Sequence, residues 1–469
     1  MIFSSYRFIF VFLPIVLGGY HLLRMWGRIV PMKLWLVAAS LVFYGLGQPD
    51  FILGFIVLGL GNYVLAACIH RTSSQPLRIV WLLLVILWNL GSLFYFKYFN
   101  FFLEGLNLFT GNSFSMRSII LPLGISFFTF QMLAYVVSVY RGTAPLATLL
   151  DYSVFITFFP QLIVGPVVKQ EEMLPQLTAE RLCNFDSINV YRGVMLFSVG
   201  CAKKVLLANP LIDFATGFYG GDVALATMTE TWFGVLAYTF AYYYDFSGYI
   251  DMARGIGHLF GITLPINFDS PYRTRNFADF WRAWNITISR FFSESIFNNL
   301  FHFGDGIIRL IFATLATFLV SGLWHGADWH YLVWGLANGI LVCIANIMTL
   351  YRKSLPKAPA VALTFFFSVL IRVLFDCTGM TQAVQIYRNM FDLIPLQQFA
   401  AELFAFIAAN RYMVLIMLIS AVICFCCKNS NEISKRTDFT AKHAVGSAVL
   451  LVLSISFMSQ VSGFLYFNF

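Results

Sequence analysis

Asn285 and His325 are two polar residues in strongly apolar surroundings, and their side chains can transfer a proton or form hydrogen bonds. A neutral imidazole accepts a proton near pH 7, and a carboxamide both donates and accepts hydrogen bonds. The two residues are 40 positions apart, which allows them to arrive on different helices and meet inside a bundle. Ionisable and polar groups inside a membrane are costly to dehydrate, so the pair is a candidate reaction centre.

Both residues also have structural interpretations. A histidine at a helix end is most often a hydrogen-bonded structural residue, and Asn in membrane helices commonly bonds a neighbouring helix. His325 is followed by Gly326, a residue that lets backbone or substrate approach closely. His330, five residues further on, is expected at an interface or in solvent. The residues alone therefore predict a buried Asn/His centre without naming a reaction.

Two further segments carry polar groups. The run WRAWNITISRFF at 281–292 has an apolar face of Trp, Ile and Phe at helical spacing and a polar face with Asn285, which predicts an amphipathic helix that lies near the membrane surface or enters the membrane part-way. In the segment 242–273, Asp245, Asp251 and Arg254 share a helical stretch with Ser247 and His258. They predict either a polar wall for a tunnel or donor site, or ion pairs that fix helix register, and we favour ion pairs for both carboxylates.

The composition predicts an all-α polytopic membrane protein. Of 469 residues, 59% are hydrophobic and only 11% are charged, too few to cover a soluble surface of this size. The net charge of +8 is scattered over short loops and not interleaved with aromatic residues, so positive-inside topology explains it better than nucleic-acid binding. The eight Cys form no CxxC pair, and we infer neither a metal site nor a disulfide framework.

Hydropathy predicts 11–13 transmembrane helices. Polar stretches between about 165 and 305 predict additional re-entrant or interfacial helices, and we find no second domain, so residues 1–469 are predicted to form one. Loop charges place 24–33, 70–78 and 428–442 in the cytoplasm and both termini outside it. The predicted spans are 6–24, 33–47, 50–69, 78–96, 118–140, 149–167, 188–207, 231–252, 307–324, 330–350, 359–377, 411–427 and 443–461.

Six motifs follow one another along the chain: PLGISFFTFQMLAYVVSVYRG at 122–142, FFPQLIVGPVVKQEEMLPQL at 158–177, FSVGCAKKVLLAN at 197–209, YYDFSGYIDMARGIGHLFGITLPINFDSPYR at 243–273, FWRAWNITISRFF at 280–292 and LWHGADWHYLVWGLANG at 323–339. In this order they resemble the membrane-bound O-acyltransferase family, in particular its bacterial alginate O-acetylation branch. The ending GFLYFNF at 463–469 also resembles that branch.

The resemblance implies a helical bundle around a central tunnel, with a catalytic core at about 118–350. It places the family's catalytic histidine at His325 and its second conserved polar position at Asn285, where bacterial relatives usually carry His and many eukaryotic members carry Asn. Ser138 stands where Asp is usual, and Asn338 replaces a common His. These departures bear on the acceptor and the partner more than on the reaction type.

From this resemblance we expect His325 to act as general base and Asn285 to bind the oxyanion or orient the acceptor. The expected donor is acetyl-CoA or an acyl-carrier thioester, with no tightly bound cofactor and no metal. The expected acceptor is a polysaccharide outside a bacterial inner membrane, reached through a periplasmic hydrolase-like partner. Further candidate substrate or donor residues are Trp281, Arg282, Trp284, Ser289, Trp324, Asp245, Lys169, Arg273 and Arg275.

Other activities fit parts of the same pattern. A transporter or flippase that moves an acyl donor or a glycan intermediate would also have many spans and polar residues at mid-membrane. Such proteins tend to contain paired broken helices in matching halves, and we find no internal symmetry. Within the family, transfer of D-alanine, or acylation of a lipid or a protein, remains an alternative.

Overall fold

The computed structural model describes residues 1–111, 113–184, 186–435, 440–458 and 465. Among these residues the elements are helices, with one isolated antiparallel bridge between Phe268 and Trp284 and no strand. The predicted all-α class is thereby confirmed. The resembling tail at 463–469 lies outside the described residues except for Leu465, as does Arg436 of the predicted 428–442 loop.

The chain divides into two compact units. The first unit contains Met1–Ser198, Ile250–Pro265 and Thr440–Ser447. Ser40, Asn62 and Asn89 are buried polar residues in this unit. Its helices are α1 Leu13–Met25, α2 Ile29–Gly45, α3 Ile52–Arg71, α4 Gln75–Leu93, α5 Phe99–Thr110, α6 Ile125–Arg141, α7 Leu149–Thr157, α8 Phe159–Leu162, α9 Gln170–Met173, α10 Ala179–Cys183 and the first part of α11 Ser187–Ala202.

The second unit contains Val199–Tyr249, Ile266–Phe439 and Ala448–Phe469, with the gaps given above. The prediction of a single domain stays a prediction. The remaining helices lie wholly or partly in this unit. They are α12 Asn209–Gly220, α13 Met228–Leu259, α14 Phe277–Ala283, α15 Ile286–Phe292, α16 Asn298–Leu300, α17 Ile307–His325, α18 Trp329–Leu350, α19 Lys357–Asp376, α20 Met380–Met390, α21 Leu396–Ala409, α22 Arg411–Cys426, α23 Ser430–Ser434 and α24 Ala441–Ser456. The division falls inside α11, α13 and α24.

Seven helical segments among the described residues are long and apolar enough to cross a membrane, or eight if α21 and α22, which meet at 96°, form one broken span. The chain is a multi-pass membrane protein. The count is lower than the predicted 11–13, because most of the other predicted spans fall on helices of fewer than 18 residues. The predicted span at 231–252 lies in α13, which has 32 residues but is not among the seven. The continuous spans are Phe8–Met25, Pro49–Arg71, Gln75–Thr110, Ser187–Gly220, Ile307–His325, Trp329–Leu350 and Lys357–Asp376.

The structure corrects the predicted span at 149–167. Helix α7 ends at Thr157, Phe158 leaves the helical conformation, and α8 begins anew with Pro160 in its first turn. Proline suits the first turn because the N–H that it lacks would have no partner there. This stretch is apolar enough to cross a membrane, but its backbone does not form one continuous helix.

Buried charges are paired, as we favoured from the sequence. In the second unit, Lys204 Nζ lies 2.7 Å from Asp245 Oδ1, and both side chains are at most 2% exposed. In the first unit, Arg254 lies 3.7 Å from Asp251, three residues earlier on α13. Burial of a lone charge costs several kcal/mol, so such pairs hold their helices in one register.

Helices α17 and α18 approach each other so closely that glycine is required at the crossing. A Cβ added to Gly322 would lie 2.3 Å from the Tyr331 carbonyl oxygen, and one added to Gly335 would lie 2.4 Å from that of Phe318. Small residues at such crossings are the usual way for membrane helices to pack. This contact fixes the end of α17, where His325 lies.

We expect Gly322→Ala to lower the thermal unfolding midpoint, because the clash is with backbone and cannot be relieved by a side-chain rotation. Overpacking of this kind costs about 1–3 kcal/mol. Gly54→Ala in α3 is the matched control, since nothing lies within 4 Å of its added Cβ. The control should leave the midpoint unchanged or raise it, because alanine stabilises helices. Equal midpoints in detergent for the two variants would contradict the close crossing.

Candidate functional site

A cavity of about 700 Å³ lies in the second unit, walled by α14, α15, α17 and α18. Both sequence-predicted reaction residues, Asn285 and His325, line it. Trp281, Arg282 and Ser289 also line it, so five of the predicted site residues share one cavity. Its other walls are largely apolar, as for example Ile288, Phe292 and Phe318. Electrostatic interactions beside apolar walls are stronger than in bulk water.

Asn285 occupies a break between two short helices, where we expected one helix over 281–292. Helix α14 ends at Ala283, Trp284 is extended, and Asn285 has φ 43° and ψ 53° before α15 begins. Asparagine is one of the few residues that adopts this left-handed conformation readily. Because of this break, residues 281–292 do not form the continuous amphipathic face that we expected. Asn285 itself is only 3% exposed.

His325 is the last residue of α17 and is 7% exposed. Its ring lies among aromatic rings, with centroids 4.6 Å from Trp324, 4.9 Å from Trp334 and 5.0 Å from Phe375. Aromatic rings on several sides restrict both the rotation of the imidazole and the access of water to it. The imidazole is therefore held in place at the wall of the cavity.

Gly326 has a different role from the one we predicted. A Cβ at this position would lie 2.0 Å from the ring of Tyr331. The close approach that glycine permits is therefore filled by a side chain of α18, not by backbone or substrate. His330, predicted at an interface or in solvent, is instead 4% exposed, and its Nδ1 lies 2.8 Å from the Leu374 carbonyl oxygen.

A polar stripe on α17 was not predicted from the sequence. Thr314, Thr317 and Ser321 precede His325 at intervals of three and four residues, and all four line the cavity. The Thr314 and Thr317 hydroxyls donate to carbonyl oxygens one turn earlier, so they add polarity without an unpaired group. The helical spacing of polar residues within the run LIFATLATFLVSGLWH was the signal available for this face.

Asn338 holds one wall of the cavity in place. Its Nδ2 donates to the Trp334 carbonyl oxygen at 2.9 Å, and its Oδ1 accepts from Trp281 Nε1 at 3.2 Å. The Trp281 ring also packs edge-on against Trp334, with centroids 5.7 Å apart. Asn338, noted as a departure from the resembling sequences, thus positions the Trp281 indole.

The remaining predicted site residues lie elsewhere. Trp284 and Trp324 are buried beside the lining residues, and Asp245 is bound to Lys204. Arg273 donates from Nε to the Cys424 carbonyl oxygen at 2.8 Å and from its guanidinium to that of Cys427, so it satisfies the last carbonyls of α22. Arg275 is exposed, and Lys169 belongs to the first unit, at the start of α9.

Arg282 is a cation on the cavity wall that forms an ion pair with Asp279. It lies 2.9 Å from Asp279, and both side chains are largely exposed at 76% and 46%. Exposed ion pairs of this kind contribute little to stability and exchange readily with other anions. Among the four predicted donor cations, Arg282 is the one that lines the cavity.

Comparison with known proteins identifies relatives along the whole chain. Residues 145–381 match the model of the membrane-bound O-acyltransferase family. The chain is 35% identical to the peptidoglycan O-acetyltransferase of Helicobacter pylori, over 100% of this chain and 98% of that protein. It is 34% identical to a probable alginate O-acetylase of Pseudomonas putida over 84% of this chain and 80% of that protein. A teichoic acid D-alanyltransferase of Bacillus subtilis is 27% identical over 55% of this chain and 67% of its own length.

Proposed function

Since the chain belongs to the membrane-bound O-acyltransferase family, we propose that this O-acyltransferase moves an acetyl group from a thioester donor to a hydroxyl of a cell-envelope polysaccharide. The observation that carries the proposal is the shared cavity of Asn285 and His325 in a chain of this family. The relatives that match most of the chain are named as O-acetyltransferases of peptidoglycan and alginate. We therefore favour acetyl over D-alanine.

In the proposed reaction, a ring nitrogen of His325 accepts the proton of the acceptor hydroxyl while its oxygen attacks the thioester carbonyl. The carbonyl oxygen becomes a tetrahedral oxyanion, to which the Asn285 amide donates a hydrogen bond. Collapse of this intermediate breaks the C–S bond, and the departing thiolate takes the proton back from the imidazolium. The products are an O-acetyl ester and a free thiol, and the histidine returns to its neutral state.

The donor in this proposal is acetyl-CoA or an acyl-carrier thioester on the cytoplasmic side, used without a tightly bound cofactor. Arg282 on the cavity wall is the cation best placed to attract its phosphate groups, while Arg273 is committed to backbone carbonyls. We further propose a bacterial inner-membrane location with both termini outside the cytoplasm, and a tunnel that lets the acetyl group cross without its carrier. The acceptor at this site is then a hydroxyl of the polysaccharide itself or a periplasmic hydrolase-like partner, which would complete transfer to the polysaccharide.

The test is transfer of radiolabelled acetyl from acetyl-CoA by the purified protein in proteoliposomes. Peptidoglycan fragments, alginate oligomers, a lipid acceptor and a D-alanyl carrier protein serve as parallel substrates. Alkali-labile label on a glycan supports the proposal. Label on the lipid, or transfer of D-alanine only, would replace the substrate and leave O-acyl transfer intact. Translocation of intact donor without any acyl product would support a transporter and reject the proposal.

A further inference from the structure

We propose that Asn267 is a positioning residue, which orients the Asn285 carboxamide so that its NH₂ group and not its oxygen is presented to the cavity. The inference rests on the proposed function, because it gives that NH₂ group its task at the oxyanion. Asn267 lies outside the helices, between α13 and α14, and is 1% exposed.

Asn267 is bound to the start of α15 through both its backbone and its side chain. Its carbonyl oxygen accepts from the Ile286 backbone N–H at 3.0 Å. Its Oδ1 accepts from the Thr287 backbone N–H at 2.9 Å and from the Thr287 hydroxyl at 3.0 Å. These two N–H groups belong to the first turn of α15, where a helix offers them no acceptor of its own. Asn267 therefore caps this helix from another segment of the chain.

The direction of these hydrogen bonds fixes the Asn267 amide. A backbone N–H can only donate, so the Asn267 side-chain atom that faces Thr287 must be the oxygen. The other end of the same amide is then an NH₂ group, which can only donate. It lies 3.0 Å from the side chain of Asn285, and the atom that it meets there must be an acceptor, Oδ1.

The Asn285 amide is oriented by the same reasoning. With its Oδ1 bound to Asn267, the group that remains is Nδ2, a donor. Among the described residues, this nitrogen has no hydrogen-bond partner, while Asn285 lines the cavity beside Ser289 and Ser321. A chain of hydrogen bonds thus runs from the Thr287 N–H through the Asn267 amide to Asn285 Oδ1, and it leaves Nδ2 of Asn285 as the donor presented to the cavity.

The orientation matters because the two ends of an amide have opposite partial charges. An NH₂ group directed at a developing oxyanion stabilises it, whereas a carbonyl oxygen in the same place repels it. A free Asn side chain could turn about its last bond and present either end. The hydrogen bond from Asn267 to Asn285 removes this rotational freedom, because the Asn267 amide is buried and is itself oriented by Thr287.

The decisive variant is Asn267→Asp. Its carboxylate can still accept from Thr287 but cannot donate to Asn285, whose amide should then turn to donate to Asp and direct Oδ1 at the cavity. We expect kcat to fall roughly 10²–10³-fold, the loss typical for one oxyanion donor, with KM for acetyl-CoA changed less than about threefold. Asn267→Ala is the uncharged second variant, which frees the Asn285 amide to take both orientations and should cause a smaller loss of kcat.

A double-mutant cycle separates positioning from a general structural role. In the Asn285→Ala background, Asn267→Asp should change kcat by less than about threefold, since the group on which it acts is gone. Asn89→Asp is the matched control: Asn89 and Asn62 form another buried Asn pair, with Nδ2 of Asn89 donating to Oδ1 of Asn62 at 2.6 Å, in the first unit. This change should lower the thermal midpoint without a selective loss of kcat.

The outcomes are distinguishable. If the wild type transfers no acyl group, or Asn285→Ala keeps wild-type kcat, the proposed function or the role of Asn285 fails before any Asn267 variant is needed. If Asn285→Ala is impaired but both folded Asn267 variants keep wild-type kcat, the positioning proposal alone is overturned. Additive losses in the double mutant would also overturn it, because Asn267 would then act independently of Asn285.

Discussion

Replacing His325 by alanine is expected to lower kcat by roughly 10³–10⁴-fold, the upper range for loss of a general base. The imidazole lines the cavity and is held among three aromatic rings, so no water-exposed base is expected to replace it. His325→Gln should be equally inactive, because its amide fills similar space but accepts no proton at neutral pH. Single-turnover acetyl transfer by purified variants is the measurement.

The control for this prediction is His70→Ala. His70 is an exposed histidine in the last turn of α3, so it shares a helix-end position with His325 but not the cavity. It should retain wild-type kcat. Substantial activity in both His325 variants, at an unchanged thermal midpoint, would remove the imidazole from the mechanism and leave the cavity without a base.

Replacing Asn285 is expected to lower kcat by about 10²–10³-fold while KM for the donor changes little. The reason is that its NH₂ group acts on charge that develops only in the transition state. Asn285 has a positive φ, so alanine adds about 1–2 kcal/mol of backbone strain that glycine does not. Asn285→Gly is therefore the cleaner variant, and its kcat reports the side chain alone.

Two further variants refine this prediction. The loss of kcat shared by Asn285→Gly and Asn285→Ala measures the missing donor, and any extra fall in the thermal midpoint of the alanine variant measures strain. Asn285→His should keep much of the activity, because an imidazole N–H can also donate a hydrogen bond to the oxyanion. If Asn285→Gly transfers acetyl at the wild-type rate, the oxyanion contact is absent and the two catalytic roles must be reassigned.

Residue types and spacing were sufficient to choose the candidate site but not to assign every member of it. Asn285 and His325 were chosen because they interrupt apolar sequence, and they share a cavity. Arg273 was chosen for its charge, yet a cation and a helix C-terminus attract each other, and its guanidinium binds the carbonyls of α22. Asn267 was not chosen, since nothing in the run LPINFDS distinguishes an amide that caps a distant helix from a loop residue.

The membrane setting, the helical class and the family could be predicted from the residues alone, because composition, apolar period and motifs are local properties of the chain. Which side chains meet depends on how the folded chain brings distant segments together. The fold interrupts the expected helix at Asn285, whose backbone adopts the left-handed conformation. It also pairs Asp245 with Lys204. It also set the direction of the Asn285 amide through Asn267, 18 residues earlier in the chain. Hydrogen-bond direction depends on which donor faces which acceptor in space, and no local pattern of residues records that.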